Sequence, residues 1–329
     1  MASLKEIKTR IASVKNTLKI TSSMKLVASA KLHKAQMAIE NLRPYEQRLE
    51  GMLQHLLATS DEQQTTGNHV EEKSVIHTFT TPLSTHPKRV AIVAVSSNAS
   101  LCGGFNNNLI RYVEQTVKAY EETLGEGSVI LIPIGRKVAQ AMSAHHSSLI
   151  TDYIEIGEKP TYAEAASLAS RLREMYLHGE VDKVEFLYTH YKNMAVQTLT
   201  REQFLPIVAI GNDEQQAEQS KQDSPFATEY LIEPSISELL DKLLPQALSM
   251  RLYAMLLDSS AAEHAARTFA MQTATDNGED LLQELNLQYN KVRQQSITNE
   301  LLDIMGGQMR WRNILKSPFI QSRNESHSL

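Results

Sequence analysis

Apolar residues recur every three or four positions at both ends of this chain. Leu4, Ile7, Ile11, Val14 and Leu18 alternate steps of four and three, which is the seam of a coiled coil. No proline or glycine interrupts the run before Pro44. After Leu18 the stripe reads as changing register, resuming at Met24, Ala28, Leu32, Ala35, Ile39 and Leu42, then at Leu49, Leu53 and Leu56. A first helix is therefore expected over 1–58. About 55 residues at a rise of about 1.5 Å would span roughly 80 Å, longer than a domain is wide. A second long helix is expected over 234–306. It opens on a capping signal, Ser235 with Glu238 three residues on, and Pro245 should kink it. Its stripe is dense from Leu248 to Ala274, thins to Leu282, Leu285, Tyr289 and Val292, and turns polar at Ser296 and Asn299. Neither stripe can bury itself alone, so the two helices should pack antiparallel.

Between them the pattern alternates in type. Arg89 to Val95 is a continuous apolar run, the signature of a strand buried on both faces. Further strands are expected over 128–134, 149–156 and 184–191, with an antiparallel one over 195–205. Helices are expected over 107–124, 136–146 and 162–178. The fold class that follows is α/β: a long antiparallel coiled coil of the N- and C-terminal helices, with an inserted Rossmann-like, mostly parallel α/β domain over 89–211. Polar, β-branched and proline-bearing text marks 59–88 as a variable linker, and the Gln-rich stretch 212–233 reads as a loop. Residues 307–329 read as a disordered tail.

Composition narrows the function classes. Aromatics are 6% of 329 residues, which suits long helices better than a thick aromatic core. The net charge of −5 argues against bulk nucleic-acid binding, but its distribution is uneven. Lys5, Lys8, Arg10, Lys15, Lys19, Lys25, Lys31 and Lys34 face one acid, Glu6, in the first 34 residues. Such a line of cations is either a solvated face or a track that meets an acidic partner. The single cysteine excludes an intramolecular disulfide framework, and no run of about 18 apolar residues spans a membrane. The basic N-terminus imitates a transit peptide, but its heptads continue into the body of the chain, so it reads as mature structure made in a reducing compartment.

Candidate chemistry is sparse. Residues 96–106 follow a strand and precede a helix, the place where a doubly wound domain holds phosphate. The G-x-G-x-x-G spacing is absent and no G-K-[ST] occurs, so a structural turn is the better reading. Cys102 in that loop has no His or acid fixed beside it by sequence, and reads as a buried thiol rather than a nucleophile. The histidines never pair at metal-ligand spacing on a helix, so neither a metal nor a cofactor is expected. No carboxylate pair sits in an apolar setting that would tune it for catalysis.

Three separated segments carry a resemblance. Ile7 to Met24, continuing to Lys31, resembles the N-terminal helix of the gamma subunits of F-type ATP synthases. Leu101, Cys102, Gly103, Gly104, Phe105 and Asn106 are similar to that family's signature loop. Ala270 to Asn277, with Tyr289 to Leu301, resembles its C-terminal helix. The match covers roughly residues 2–305. The resemblance implies a bacterial central-stalk rotor subunit, non-catalytic by itself, that couples proton or sodium flux to conformational change at the catalytic sites of the beta subunits. It implies a shaft inside a ring of alpha and beta subunits, and a foot that binds the epsilon subunit and the c-subunit ring. It also implies a peripheral place on the cytoplasmic side of the bacterial plasma membrane, with no direct membrane insertion and no nucleic acid.

Residue by residue, the resemblance places Met24 and Lys25 at a contact with the beta-subunit lever. Arg293, Gln294 and Thr298, with Glu300 nearby, fall on an upper beta contact. Two departures stand out: Asn98, Ala99 and Ser100 replace a charged turn that usually ends in glycine, and the chain continues past Gly306. The competing readings are a static coiled-coil scaffold or adaptor, and a free-standing α/β enzyme using the Cys102 loop.

Overall fold

The computed structural model describes residues 3–64, 87–143, 148–207, 233 and 235–315. Helix α1 runs Leu4–Gln64 and passes through Pro44 and Gly51. Ser3 starts it, its hydroxyl accepting the Glu6 N–H at 3.3 Å and its carbonyl the Ile7 N–H at 3.1 Å. Ile7, Thr21, Ala28, Ala35, Leu49 and Leu56 are buried on its seam at one heptad position, and Leu32 is buried at the other, in line with Leu4, Ile11 and Leu18. The expected register change after Leu18 is therefore corrected: the stripe never shifts. It passes through Thr21 and half-buried Lys25, whose polarity hides it in the text. Thr21 tolerates burial because its hydroxyl lies 2.9 Å from that of Thr275.

Strand β1 is Val90–Val95, helix α2 is Phe105–Leu124, β2 is Val129–Ile134 and α3 is Arg136–Met142. A 3-10 turn at Ile154–Gly157 follows, then α4 (Tyr162–Leu177), β3 (Lys183–Tyr191) and β4 (Gln197–Leu205). The strands lie in the order β2-β1-β3-β4, with β1 parallel to β2 and β3, and β4 antiparallel to β3. Alternate residues of β1 serve two cores. Ala91, Val93 and Val95 join α4 residues Leu168, Leu172 and Tyr176, while Val90, Ile92 and Ala94 join α2 residues Leu109, Val113 and Val117. Burial on both faces is why β1 is apolar throughout.

The strand expected over 149–156 does not form. Leu149 makes a single parallel bridge to Leu131, with Ile150 N–H donating to Leu131 O at 3.0 Å. The chain then turns into the 3-10 turn, held by the Gly135 N–H on Ile154 O at 2.9 Å, and buries Ile156 in the first core. An apolar run of this length serves a buried turn as well as a strand, and periodicity cannot separate the two. The helix expected over 136–146 ends at Met142, and residues 144–147 lie outside the described ones.

Helix α5 is Ile236–Leu315, and the Glu238 N–H on Ser235 Oγ at 3.3 Å forms the expected cap. It continues through Pro245, Gly306 and Gly307. What was expected of 65–86, 208–232 and 316–329 lies outside the described residues.

The chain divides into two compact units, residues 1–23 with 272–329, and residues 24–271. In the first, α1 and α5 pack antiparallel, as the Thr21–Thr275 contact and the close approach of Leu18 to Gly278 require. Carried on at equal rise, that register brings Leu4 level with Val292. Beyond that level, past the described start of α1, Ile297, Leu301, Leu302, Ile304 and Met305 are exposed beside half-buried Ser296 and exposed Asn299.

Candidate functional site

The signature loop is built around Asn106, which is buried near the start of α2. Asn106 Oδ1 accepts the Ser97 N–H at 3.1 Å. Its Nδ2 lies 2.9 Å from Ser97 Oγ, 3.3 Å from Ala99 O and 3.1 Å from Cys102 Sγ. These bonds curl the backbone so that Leu101, a non-glycine residue, takes φ 68° and Gly103 takes φ 59°. Leu101 points outward with 59% of its surface exposed, while Cys102 and Phe105 are buried against Ala262 and Ala266 of α5, with Tyr191 at their edge. Gly104 holds the N-cap position. Opposite Ser100, Arg267 Nη2 reaches its carbonyl at 3.5 Å. The loop is thus a structural turn seated on α5. The Cys102 thiol meets Asn106, Ser97 and the Ala99 carbonyl, none of which is a base.

Asn98 explains its own departure from the usual charge. Its Oδ1 accepts the Arg136 N–H at 2.9 Å and its Nδ2 reaches Glu155 at 3.4 Å, while Arg136 Nε and Nη2 grip Glu155 at 3.0 and 3.1 Å. An aspartate there would face Glu155 as a like charge.

Behind the loop, α5 carries a charged knot inside the unit 24–271. Glu263 and Arg267 pair at 2.5 Å, one turn apart and both nearly buried. Burial pushes the Glu263 carboxyl above its ordinary value, against the pull of Arg267 and Lys31. His264 is 7% exposed and its Nδ1 has no hydrogen-bond partner. Burial, then Arg267 and Lys31, pushes its pKa down to about 4, so the ring is neutral.

Two further polar clusters tie the sheet to its neighbours. On the α2 face, Glu185 is buried between Lys183 Nζ at 2.7 Å, Tyr120 Oη at 2.8 Å and Arg201 Nε at 2.8 Å. Burial opposes its charge, but the bonds from Arg201, Lys183 and Tyr120 hold it below its ordinary range. On the α5 face, His190 Nδ1 meets Asp258 Oδ2 at 2.6 Å, and the Tyr191 N–H donates to Asp258 Oδ1 at 3.2 Å. The Tyr191 hydroxyl accepts from Gln36 of α1 at 3.0 Å, beside the apolar contact of Leu32 and Ala35 with Ala261 and Ala265.

The expected partner contacts lie on the long helices. Met24 and Lys25 are half-buried on α1 in the unit 24–271. Arg293, Gln294, Thr298 and Glu300 are exposed on α5 in the other unit, with Ser296 Oγ donating to Glu300 Oε1 at 3.3 Å. Sequence reasoning missed Thr21, His190, Asp258 and Arg267. Only Arg267 left a local signal, its i,i+4 spacing from Glu263. Among the described residues no group of His, Cys, Asp and Glu could hold a metal, and no helix is long and apolar enough to cross a membrane.

A family model described as ATP synthase matches residues 3–309. The chain is 50% identical over 309 residues to an ATP synthase gamma chain of Phocaeicola vulgatus, covering 94% of this chain and 100% of that one. It is 39% identical over 307 residues to the ATP synthase gamma chain of Flavobacterium johnsoniae, covering 93% and 98%. Among solved structures it is similar in fold to a chain of the Tetrahymena thermophila mitochondrial ATP synthase central stalk and c-ring. The TM-score is 0.53 at 21% identity, over 78% of this chain and 99% of that one. A chain of the Euglena gracilis mitochondrial ATP synthase matches with TM-score 0.50 at 18% identity, over 88% and 97%.

Proposed function

This chain belongs to the ATP synthase gamma-chain family, and from that premise we propose how its helices and foot serve the rotor of the central stalk. The terminal helices turn inside a ring of alpha and beta subunits, and the α/β foot binds the epsilon subunit and the c-subunit ring. The chain performs no chemistry itself. The observation that carries this reading is the match over 3–309 on a chain whose ends pair antiparallel by a thinning seam. Such a coil, pressing on one beta subunit at a time, biases each catalytic site differently, and linkage makes nucleotide chemistry bias the shaft angle in return.

The exposed Arg293, Gln294, Thr298 and Glu300 would meet one beta loop and Met24 with Lys25 another. The cations of α1 suit an acidic partner, since complementary charge orients a contact without gluing it. The chain would lie peripherally on the cytoplasmic face of a bacterial plasma membrane. Co-expression with alpha, beta, epsilon and c subunits tests the reading. ATP-driven ion pumping in membrane vesicles should vanish when this chain is omitted. Pumping that persists without it would overturn the rotor assignment.

A further inference from the structure

The face of α5 that meets the sheet carries two kinds of contact within the unit 24–271. Leu244, Leu248, Leu252, Met255 and Leu256 are buried with Phe186, Tyr188 and Phe204. Apolar contacts are non-directional, and a row of leucines and methionines accepts repacking after a slide along the helix axis. Beside that row stand two opposite charges, Arg251 and Asp258, seven residues apart and so on one face. Arg251 Nη2 and Nε reach Glu202 Oε1 of β4 at 2.6 and 3.1 Å, and Nη2 reaches Gln203 O at 3.4 Å. Glu202 is held in turn by the Tyr188 hydroxyl at 3.0 Å. Asp258 takes His190 Nδ1 and the Tyr191 N–H at the end of β3. The helix thus offers a cation then an anion, and the sheet answers with an acid then an imidazole and an amide donor.

We propose that Arg251–Glu202 and Asp258–His190/Tyr191 form a two-pin key that sets the axial register of α5 on the sheet, making these four side chains positioning residues for torque transfer. A slide of one turn, about 5.4 Å, strips both pins. A slide of seven residues brings Asp258 against Glu202, like charge to like. The apolar row alone sets no such barrier, and ionic pairs are well suited to choosing one register among several. Burial also makes a misplaced Asp258 carboxylate costly, since its pKa is already raised despite His190.

The inference rests on the rotor reading, and its test separates the two. R251E, E202R and the double swap R251E/E202R are assembled into the complete complex in membrane vesicles, with D258L for the second pin. Two quantities are read: ions pumped per ATP hydrolysed, and the distance between spin labels at the exposed positions Met194 and Gln246. R251E, E202R and D258L should each lower the pumping ratio at least about twofold. Each should also shift or broaden the label distance on the scale of about 5.4 Å, and the double swap should restore both readouts. Single variants that keep the wild-type ratio and distance overturn the key, as does a double swap that assembles without recovering the distance. Where R251E fails to assemble, R251Q takes its place, with an unchanged distance again overturning the proposal. Failure of the rotor reading looks different: pumping then ignores this chain altogether, while the label distance still answers to the pins.

Discussion

Replacing His264 by methionine removes a titratable ring from the inside of α5 while keeping an apolar volume of similar size. The ring is buried, its Nδ1 is unpartnered, and Arg267 and Lys31 oppose its charging, which together lower its pKa from 6.5 to about 4. Between those two values the unfolded chain binds a proton that the folded chain refuses. Stability must therefore fall as pH drops through that window, and the loss is complete below the folded value. At about 1.4 kcal/mol per unit, acidification from neutral pH to pH 5 should cost the wild-type chain about 2 kcal/mol through this group alone. The methionine variant escapes that loss. It also removes an unsatisfied buried nitrogen, so it should equal or exceed the wild type by about 1 kcal/mol at neutral pH. Urea unfolding of the purified chain, followed by circular dichroism at pH 7.5, 6 and 5, reads the difference between the two proteins. Acid-sensitive groups common to both, such as Glu263, cancel. A gap that stays constant within about 0.5 kcal/mol across the series would show that His264 is not held neutral by burial.

Three other substitutions probe the foot and the shaft. Gly135→Ala places a Cβ against the Ser96 carbonyl at φ 94°, and should cost at least about 3 kcal/mol, seen as a large fall in melting temperature or loss of soluble chain. Glu185→Gln leaves Lys183 and Arg201 without their carboxylate, costing about 2 kcal/mol near neutral pH. Because the folded pKa of Glu185 is depressed, its contribution is complete above 4.5 and fades as pH falls through the lower value, so the gap between the two proteins should close on acidification. Met24→Lys adds a cation beside Lys25 on a stretch proposed to face an acidic lever. Coupling of pumping to hydrolysis should fall in vesicles, and unchanged pumping would remove Met24 from the contact.

Several features of the site were legible because they are local. The capping pair Ser235 and Glu238, the doubly buried run of β1 and the thinning of α5 toward Ser296 follow from period and spacing within one segment. The family resemblance was legible because its three motifs are contiguous strings. Other features depend on what a distant segment supplies. Thr21 broke the apolar stripe in the text, yet it continues the heptad because Thr275 offers it a hydroxyl. The run from Leu149 reads as a strand, but only Leu149 pairs at the sheet edge before the chain turns to bury Ile156.

The sequence by itself determined the two amphipathic helices, the strands and helices between them apart from the segment 149–156, and the family, since periodicity and local strings need no partner to be read. The tertiary structure alone decided the unshifted heptad of α1, the seat of the Cys102 loop on Ala262 and Ala266, and the contacts that join His190 to Asp258 and Glu202 to Arg251. Those pairs are separated by dozens of residues, and their meaning lies in geometry. A histidine or an aspartate in the text is an ordinary polar residue until folding sets it 2.6 Å from its partner, here a half-exposed imidazole against a largely covered carboxylate.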